Sequence, residues 1–236
     1  MNASPPRIRA VLFDLGGTLV DERDFAGWVD MARRLPLDLD SDTLAHFFGE
    51  VERELDADPL GVDREDAVVE FWRRVLSRAA EREVDRSMAA RFVSLRREFE
   101  APVQLFSDVR RTLDQLKAER RALGVVSNST SEAAVRRILD RVGILDYFER
   151  VVSSGTEGVA KPSPEIFRRA VARLHVAPHE AFFVGNLART DAKAAAAAGL
   201  HSVWLHRDGF GFGEDPPEIT SLLEVPLAVR RLERRG

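Results

Sequence analysis

The sequence contains no cysteine and no long apolar run, and acidic and basic residues nearly balance. Without cysteine the chain can form no disulfide, has no thiol nucleophile and cannot bind zinc through thiolates. No apolar run approaches the roughly 20 residues of a membrane-spanning helix, and residues 1–9 lack the apolar core of a signal peptide. The net charge of −4 predicts no general attraction to nucleic acid. We therefore expect a cytoplasmic protein that binds neither nucleic acid nor a membrane.

Lysine is also scarce, because only three of the 35 basic residues are lysines: Lys117, Lys161 and Lys193. The remaining composition, 44% hydrophobic and 31% charged, is typical of a soluble globular protein. The 236 residues suffice for one large domain or for a core domain that carries an insertion.

A short apolar run from Ala10 to Phe13 predicts a buried strand near the N-terminus. Asp14 follows this run directly, and two glycines, Gly16 and Gly17, come after Leu15. Ligands of open α/β sheets lie just beyond the carboxyl ends of such strands, and glycine lets the backbone approach a ligand closely. Asp14 is therefore a candidate reactive group, although a carboxylate that caps the turn would give the same local pattern.

Residues 21–100 contain no strand-like run, and their pattern predicts helices. Apolar residues recur at helical spacing, and four helices fit, at about 21–35, 41–57, 63–82 and 86–100. Ser41 and Asp63 stand at expected N-cap positions, and Pro102 marks the exit. The pattern predicts a helical domain inserted after the first strand.

From Phe106 onward, predicted strands and helices alternate. The further strands are 122–127, 150–153, 181–185 and 202–205. Ser107, Ser131 and Ser163 are predicted to cap helices, of which the first two end near Arg120 and Gly143, and an alanine-rich helix spans 190–198. Alternation of this kind predicts an α/β fold with a doubly wound parallel sheet, whose strand ends meet at one edge.

Four motifs fall at this edge in chain order. They are Asp14-Leu15-Gly16-Gly17-Thr18, Ser127-Asn128, Lys161-Pro162-Ser163-Pro164-Glu165-Ile166-Phe167 and Gly185-Asn186-Leu187-Ala188-Arg189-Thr190-Asp191. Together they resemble the haloacid dehalogenase superfamily of hydrolases, whereas any one alone would be a weak signal. The resemblance covers about 7–20 and 104–206. It implies a Rossmann-like core over 1–20 and 104–236, with a helical cap over 21–103.

The resemblance implies a catalytic role for three side chains. In phosphatases of the superfamily, the residue that matches Asp14 attacks phosphorus and forms an aspartyl-phosphate. The hydroxyl that matches Ser127 and the ammonium that matches Lys161 bind the transferring phosphoryl oxygens. Asn128, Gly17 and Arg23 are further candidates for contact with a small anionic substrate.

The resemblance also implies a magnesium site. The metal would lie between Asp14, the backbone carbonyl of Gly16 and the last motif, where Asn186 and Asp191 are the candidate ligands. Within this arrangement the main expected role of Asp191 is to position the neighbouring side chains of the site. The five histidines show no shared metal spacing.

Two positions depart from the phosphatase pattern. Gly16 stands where those phosphatases carry the aspartate that protonates the leaving group, and loss of such a group typically costs about 10²–10⁴ in rate. Asn186 replaces the usual aspartate of the last motif, and an amide oxygen without charge is a weaker ligand for Mg²⁺. Both changes disfavour ordinary metal-assisted hydrolysis of phosphate esters.

Three hypotheses on function remain open. The favoured one is a phosphatase-type hydrolase of a small phosphorylated metabolite, which would need the missing acid least for substrates with good leaving groups, such as acyl phosphates. The second is a metal-free hydrolase like the 2-haloacid dehalogenases, which also lack the second aspartate; their last motif, however, has a shorter spacing than Asn186 to Asp191. The third is a non-catalytic homologue that binds a ligand or partner. The sequence does not indicate the oligomeric state.

Overall fold

The computed structural model describes residues 7–57, 64–98, 103–207 and 217–234. The chain divides into two units. The sheet unit comprises Met1–Asp21 and Val103–Gly236, and the helical unit comprises Glu22–Pro102. In the described part of the chain, no helix combines the length and the apolar character needed to cross a membrane.

In the described residues of the sheet unit, six strands form one parallel sheet: β1 Ala10–Phe13, β4 Ala122–Ser127, β5 Arg150–Ser153, β6 Ala181–Gly185, β7 His201–Leu205 and β8 Glu218–Ile219. Their order across the sheet is β5-β4-β1-β6-β7-β8. Two further strands, β2 Val20–Asp21 and β3 Gln104–Leu105, form a separate antiparallel pair. The predicted doubly wound parallel sheet is confirmed. The three two-residue strands were not predicted.

Strand β1 lies in the centre of the sheet and is buried on both faces. Val11 and Phe13 belong to one hydrophobic cluster, and Ala10 and Leu12 belong to a second one. Alternate side chains of a strand point to opposite faces, so the two clusters lie on the two sides of the sheet. This explains why β1 has a continuous apolar sequence instead of an alternating one.

The register brings the ends of three strands together. Phe13 pairs with Val125 of β4 and with Val184 of β6. The backbone N–H of Asp14 donates to the carbonyl of Val184 at 2.9 Å. Asp14 therefore follows the central strand at the same edge where β4 and β6 end.

The described residues of the helical unit form four helices. They are α1 Phe25–Ala32, α2 Ser41–Ala57, α3 Arg64–Ala79 and α4 Arg86–Glu98. Helix α1 is shorter than predicted because Asp24 caps it, accepting a hydrogen bond from the N–H of Gly27. The predicted cap Ser41 is wrong: Asp40 accepts from the N–H groups of Asp42 and Thr43 instead. The predicted cap Asp63 and the exit at Pro102 lie outside the described residues.

The remaining helices flank the sheet. They are α5 Val109–Ala118, α6 Glu132–Arg141, α7 Ser154–Glu157, α8 Pro164–Arg173, α9 Ala194–Ala197 and α10 Val225–Arg234. The predicted caps Ser131 and Ser163 are confirmed, since their hydroxyls accept from the N–H groups of Ala134 and Glu165. The predicted helix over 190–198 begins earlier, as a π-helical turn over Ala188–Lys193.

The predicted cap Ser107 is wrong. Helix α5 begins at Val109, and the residue before it, Asp108, makes no side-chain cap. The Asp108 carboxylate accepts hydrogen bonds from Arg207, from the Ser221 hydroxyl and from the Leu222 N–H. It therefore ties distant parts of the sheet unit together.

Candidate active site

A buried ammonium group joins two carboxylates at the carboxyl edge of the sheet. Lys161 Nζ lies 2.5 Å from Asp14 Oδ1 and 2.6 Å from Asp191 Oδ1. The exposed fractions of the three side chains are 3% for Lys161, 10% for Asp14 and 1% for Asp191. Three of the predicted site residues, which lie far apart in the sequence, thus form one cluster.

The cluster places two carboxyl groups around one ammonium group. Burial works against the charge of Lys161, but attraction to Asp14 and Asp191 outweighs it and holds the pKa of Lys161 above its usual value. Burial raises the pKa of Asp191 to about 7, against the opposing attraction of Lys161. Lys161 is therefore a permanent cation beside Asp14, and Asp191 is the carboxylate that stabilises it.

Asn128 fixes the backbone that carries Lys161. Its side-chain amide donates to the Lys161 carbonyl at 2.9 Å and accepts from the Lys161 N–H at 2.9 Å. Ser127, which precedes it, ends strand β4 and is 7% exposed. The second motif thus supplies a buried hydroxyl at the sheet edge and an anchor for the lysine loop.

Thr18 connects the first and last motifs. Its hydroxyl lies 3.3 Å from Asp14 Oδ2 and 3.4 Å from Asn186 Oδ1. Asp14 Oδ2 and Asn186 Oδ1 therefore both lie near the Thr18 hydroxyl. Asp191 Oδ2, by contrast, accepts from the Leu187 N–H at 3.1 Å, so both Asp191 oxygens already have donors.

Gly17 allows the Asn186 side chain to lie close to the turn that follows Asp14. Its φ angle is +74°, and a Cβ there would lie 2.4 Å from Asn186 Nδ2. Its N–H donates to the Val20 carbonyl and closes the turn after Asp14. Gly16 lies in the same turn, in a bridge with Val20. The predicted contact Arg23 is an exposed residue of the helical unit.

Sequence reasoning missed the residues that hold this turn in place. Arg207 donates to the carbonyls of Gly17, at 3.3 Å, and Thr18, at 2.7 Å, while its guanidinium pairs with both oxygens of Asp108. Trp204 Nε1 donates to the Asn186 carbonyl at 2.9 Å. Both residues lie at or just after the end of β7, so the rule that site residues follow parallel strands could have found them.

We predict that Gly17→Ala displaces the Asn186 side chain and lowers catalytic efficiency. The added methyl group overlaps the Asn186 amide, and a displacement of about 1 Å in a site can cost about 10²-fold. The left-handed backbone itself adds about 1–2 kcal/mol of destabilisation.

Gly158→Ala is the matched control, because Gly158 has φ +67° and nothing within 4 Å of an added Cβ. It should lose similar stability in a urea titration and keep its catalytic efficiency. Equal activity losses in the two variants would contradict the role given to the space at Gly17.

The fold and the site together define an α/β protein whose candidate nucleophile, Asp14, lies at the carboxyl edge of a parallel sheet. Comparison with known families agrees, since residues 8–199 match the haloacid dehalogenase-like hydrolases. The chain belongs to this family of hydrolases.

Relatives and solved structures with different activities are similar to the chain. It is 30% identical to a phosphoglycolate phosphatase from Nitrosospira multiformis, over 94% of this chain and 93% of that protein. It is 29% identical to a phosphoserine phosphatase from Thermus thermophilus, over 59% of this chain but only 53% of that protein. A crystal structure of a 2-haloacid dehalogenase from Pseudomonas syringae pv. Tomato is 27% identical, with a TM-score of 0.60, covering 95% of this chain and 99% of that one.

Proposed function

We propose that the chain is a phosphatase-type hydrolase that acts on a small phosphorylated metabolite through an aspartyl-phosphate on Asp14. The observation that carries the proposal is the contact of Asp14 with the buried ammonium of Lys161. A fixed cation beside the attacking carboxylate lowers its repulsion from an anionic phosphoryl group. The phosphatases among the relatives support the same class of substrate.

The reaction has two displacements at phosphorus. A carboxylate oxygen of Asp14 attacks phosphorus, and the bond from phosphorus to the leaving-group oxygen breaks. Water then attacks the same phosphorus, breaks the acyl-phosphate bond, and yields inorganic phosphate and the free carboxylate. Lys161 and the Ser127 hydroxyl bind the other phosphoryl oxygens in both steps, and Asp191 keeps Lys161 charged and in place.

The residues present fit a magnesium ion of modest affinity. The Thr18 contacts bring Asp14 Oδ2 and Asn186 Oδ1 near one another, and the Gly16 carbonyl belongs to the same turn. No group of three acidic or histidine side chains within the described residues could hold a metal by itself. Mg²⁺ commonly takes one or two carboxylates and completes its coordination with water and substrate phosphate. When bound, it would neutralise charge on the phosphoryl oxygens.

Gly16 determines which leaving groups the site accepts. A glycine can neither protonate a leaving oxygen nor activate water, so esters of ordinary alcohols should react slowly. An acyl phosphate expels a carboxylate, which needs no proton to leave. We therefore infer a preference for acyl phosphates over alkyl phosphates.

Phosphate release from acetyl phosphate and from glycerol phosphate, with Mg²⁺ and with a chelator, tests this proposal. We expect Mg²⁺-dependent release that is faster with acetyl phosphate. Gly16→Asp should raise the rate with glycerol phosphate by about 10²–10⁴, the usual contribution of a general acid–base. Absence of release from either substrate, with or without metal, would contradict the proposal.

A dehalogenase is the second candidate. It is favoured by Gly16 and by the similarity to the Pseudomonas syringae dehalogenase structure. In that case Asp14 would attack carbon, and the carbon–halogen bond would break with release of halide. Halide release from 2-chloropropionate in the presence of a chelator, without phosphate release from acetyl phosphate, would favour this candidate over the first.

A further inference from the structure

Arg96, near the end of α4, lies in a corner formed by two tryptophan rings of the helical unit. Its Cζ atom is 4.4 Å from the ring centroid of Trp28 and 4.5 Å from that of Trp72. The two rings meet at 85° with their centroids 5.0 Å apart. Contacts with two ring faces hold the guanidinium in place through cation–π attraction. Its hydrogen-bonding edge is not used by these contacts.

One donor of the Arg96 guanidinium has no hydrogen-bond acceptor within the described residues. Its Nε–H is buried, and no hydrogen-bond acceptor for it exists among the described residues. The negative charge of Glu22 favours the charged form of Arg96. Burial lowers the pKa of Arg96 to about 10, which leaves the group charged at neutral pH. A buried charge without hydrogen bonds is costly for a fold.

The other half-buried arginines of this chain provide a contrast. Arg121 pairs with Glu233, and Arg207 pairs with both oxygens of Asp108. Within the helical unit, Arg74 pairs with Glu70. At these positions the fold supplies a carboxylate in ion-pair contact, whereas at Arg96 it supplies two aromatic rings and the charge of Glu22.

We propose that Arg96 is an oxyanion-binding site of the helical unit, which takes a carboxylate or phosphate group on its free hydrogen-bonding edge. The planar fork of a guanidinium matches both anions through paired N–H···O contacts. The indoles of Trp28 and Trp72 fix its orientation before the anion arrives. The proposal does not depend on the function proposed for Asp14.

Tryptophan fluorescence can follow this binding directly. The chain has three tryptophans, and Trp204→Phe leaves only Trp28 and Trp72, which both contact Arg96. The Trp204→Phe protein is titrated with sodium acetate and, separately, with sodium phosphate, each balanced with sodium chloride at constant ionic strength. We expect a saturable fluorescence change with at least one anion, and the two titrations identify which anion the site takes.

Two variants in the same background assign the signal. Arg96→Gln should weaken the apparent affinity about tenfold or more, the value of one hydrogen bond to a charged group. Arg74→Gln, which removes an arginine that has its own partner, should leave the affinity unchanged. The proposal is overturned if neither anion gives saturation, or if Arg96→Gln titrates like its parent. The first of these outcomes needs only a protein in which Arg96 is intact, so a folding defect in Arg96→Gln cannot obscure it.

Discussion

Asp14→Asn is expected to abolish turnover and to leave the protein at least as stable as the wild type. Removal of a nucleophile from a cooperating set of catalytic residues can cost about 10⁶ in kcat, and an amide cannot form the acyl-phosphate. Stability should not fall, because the buried cluster holds two carboxylates for one ammonium. The substitution leaves a one-to-one pair of Lys161 and Asp191.

Phosphate release from acetyl phosphate and thermal unfolding together check this prediction. A variant that unfolds at a clearly lower temperature would contradict the charge account of the cluster. Retained activity in a stably folded variant would remove Asp14 from the mechanism. The two outcomes are separable because one concerns folding and the other concerns chemistry.

Lys161→Met is expected to remove activity and also to destabilise the fold. The methionine side chain keeps much of the lysine volume, but it leaves Asp14 and Asp191 buried without a cation. Loss of one partner from a buried ion pair costs about 3–5 kcal/mol in the free energy of unfolding. Loss of a charged donor to the transition state should lower kcat by at least about 10²–10³.

Two further variants test whether the loss of stability in Lys161→Met comes from the buried carboxylates. Lys117→Met is the matched control, because Lys117 is 39% exposed and its partner Glu149 is 50% exposed; it should change stability by less than about 1 kcal/mol. The double variant Lys161→Met with Asp191→Asn should regain stability but no activity, since it removes one of the two buried carboxylates that Lys161→Met leaves without a cation. If the Lys161 and Lys117 variants unfold at the same urea concentration, the buried-charge account is wrong.

The fold could be predicted wherever the sequence carries a strong local pattern. Strands β1, β4, β5 and β6 are short apolar runs that end at polar or glycine residues, and their predicted bounds agree with the structure. The strands β2, β3 and β8 have two residues each, which is too short for any periodicity to appear. Their positions depend on pairing with other strands, β2 with β3 and β8 with β7, and not on a local pattern.

Cap residues show a second limit. Ser131 and Ser163 cap their helices through hydrogen bonds to nearby N–H groups, so the local sequence suffices to identify them. Asp108 stands just before a helix, but its carboxylate is taken up by Arg207, a residue 99 positions later. A propensity for capping cannot reveal a competing partner that only the fold brings near.

The side chains proposed to react could be predicted from the sequence, whereas the residues that hold them in place could not. Asp14, Lys161 and Asp191 follow strands or open a helix at the sheet edge, and the structure brings them into contact. The space that Asn186 occupies beside Gly17 and the hydrogen bonds from Arg207 depend on three-dimensional packing. The roles proposed for the Ser127 hydroxyl and for Arg23 remain predictions.

Trapping the covalent intermediate is the most direct test of the central claim that Asp14 carries the phosphoryl group. Wild-type protein and the Asp14→Asn variant are mixed with acetyl phosphate and Mg²⁺, quenched in acid during turnover and examined by peptide mass spectrometry. We expect one added phosphoryl group on the peptide that contains Asp14 in the wild type, and none in the variant. A phosphoryl group on any other residue, or turnover that persists in the variant without this adduct, would contradict it.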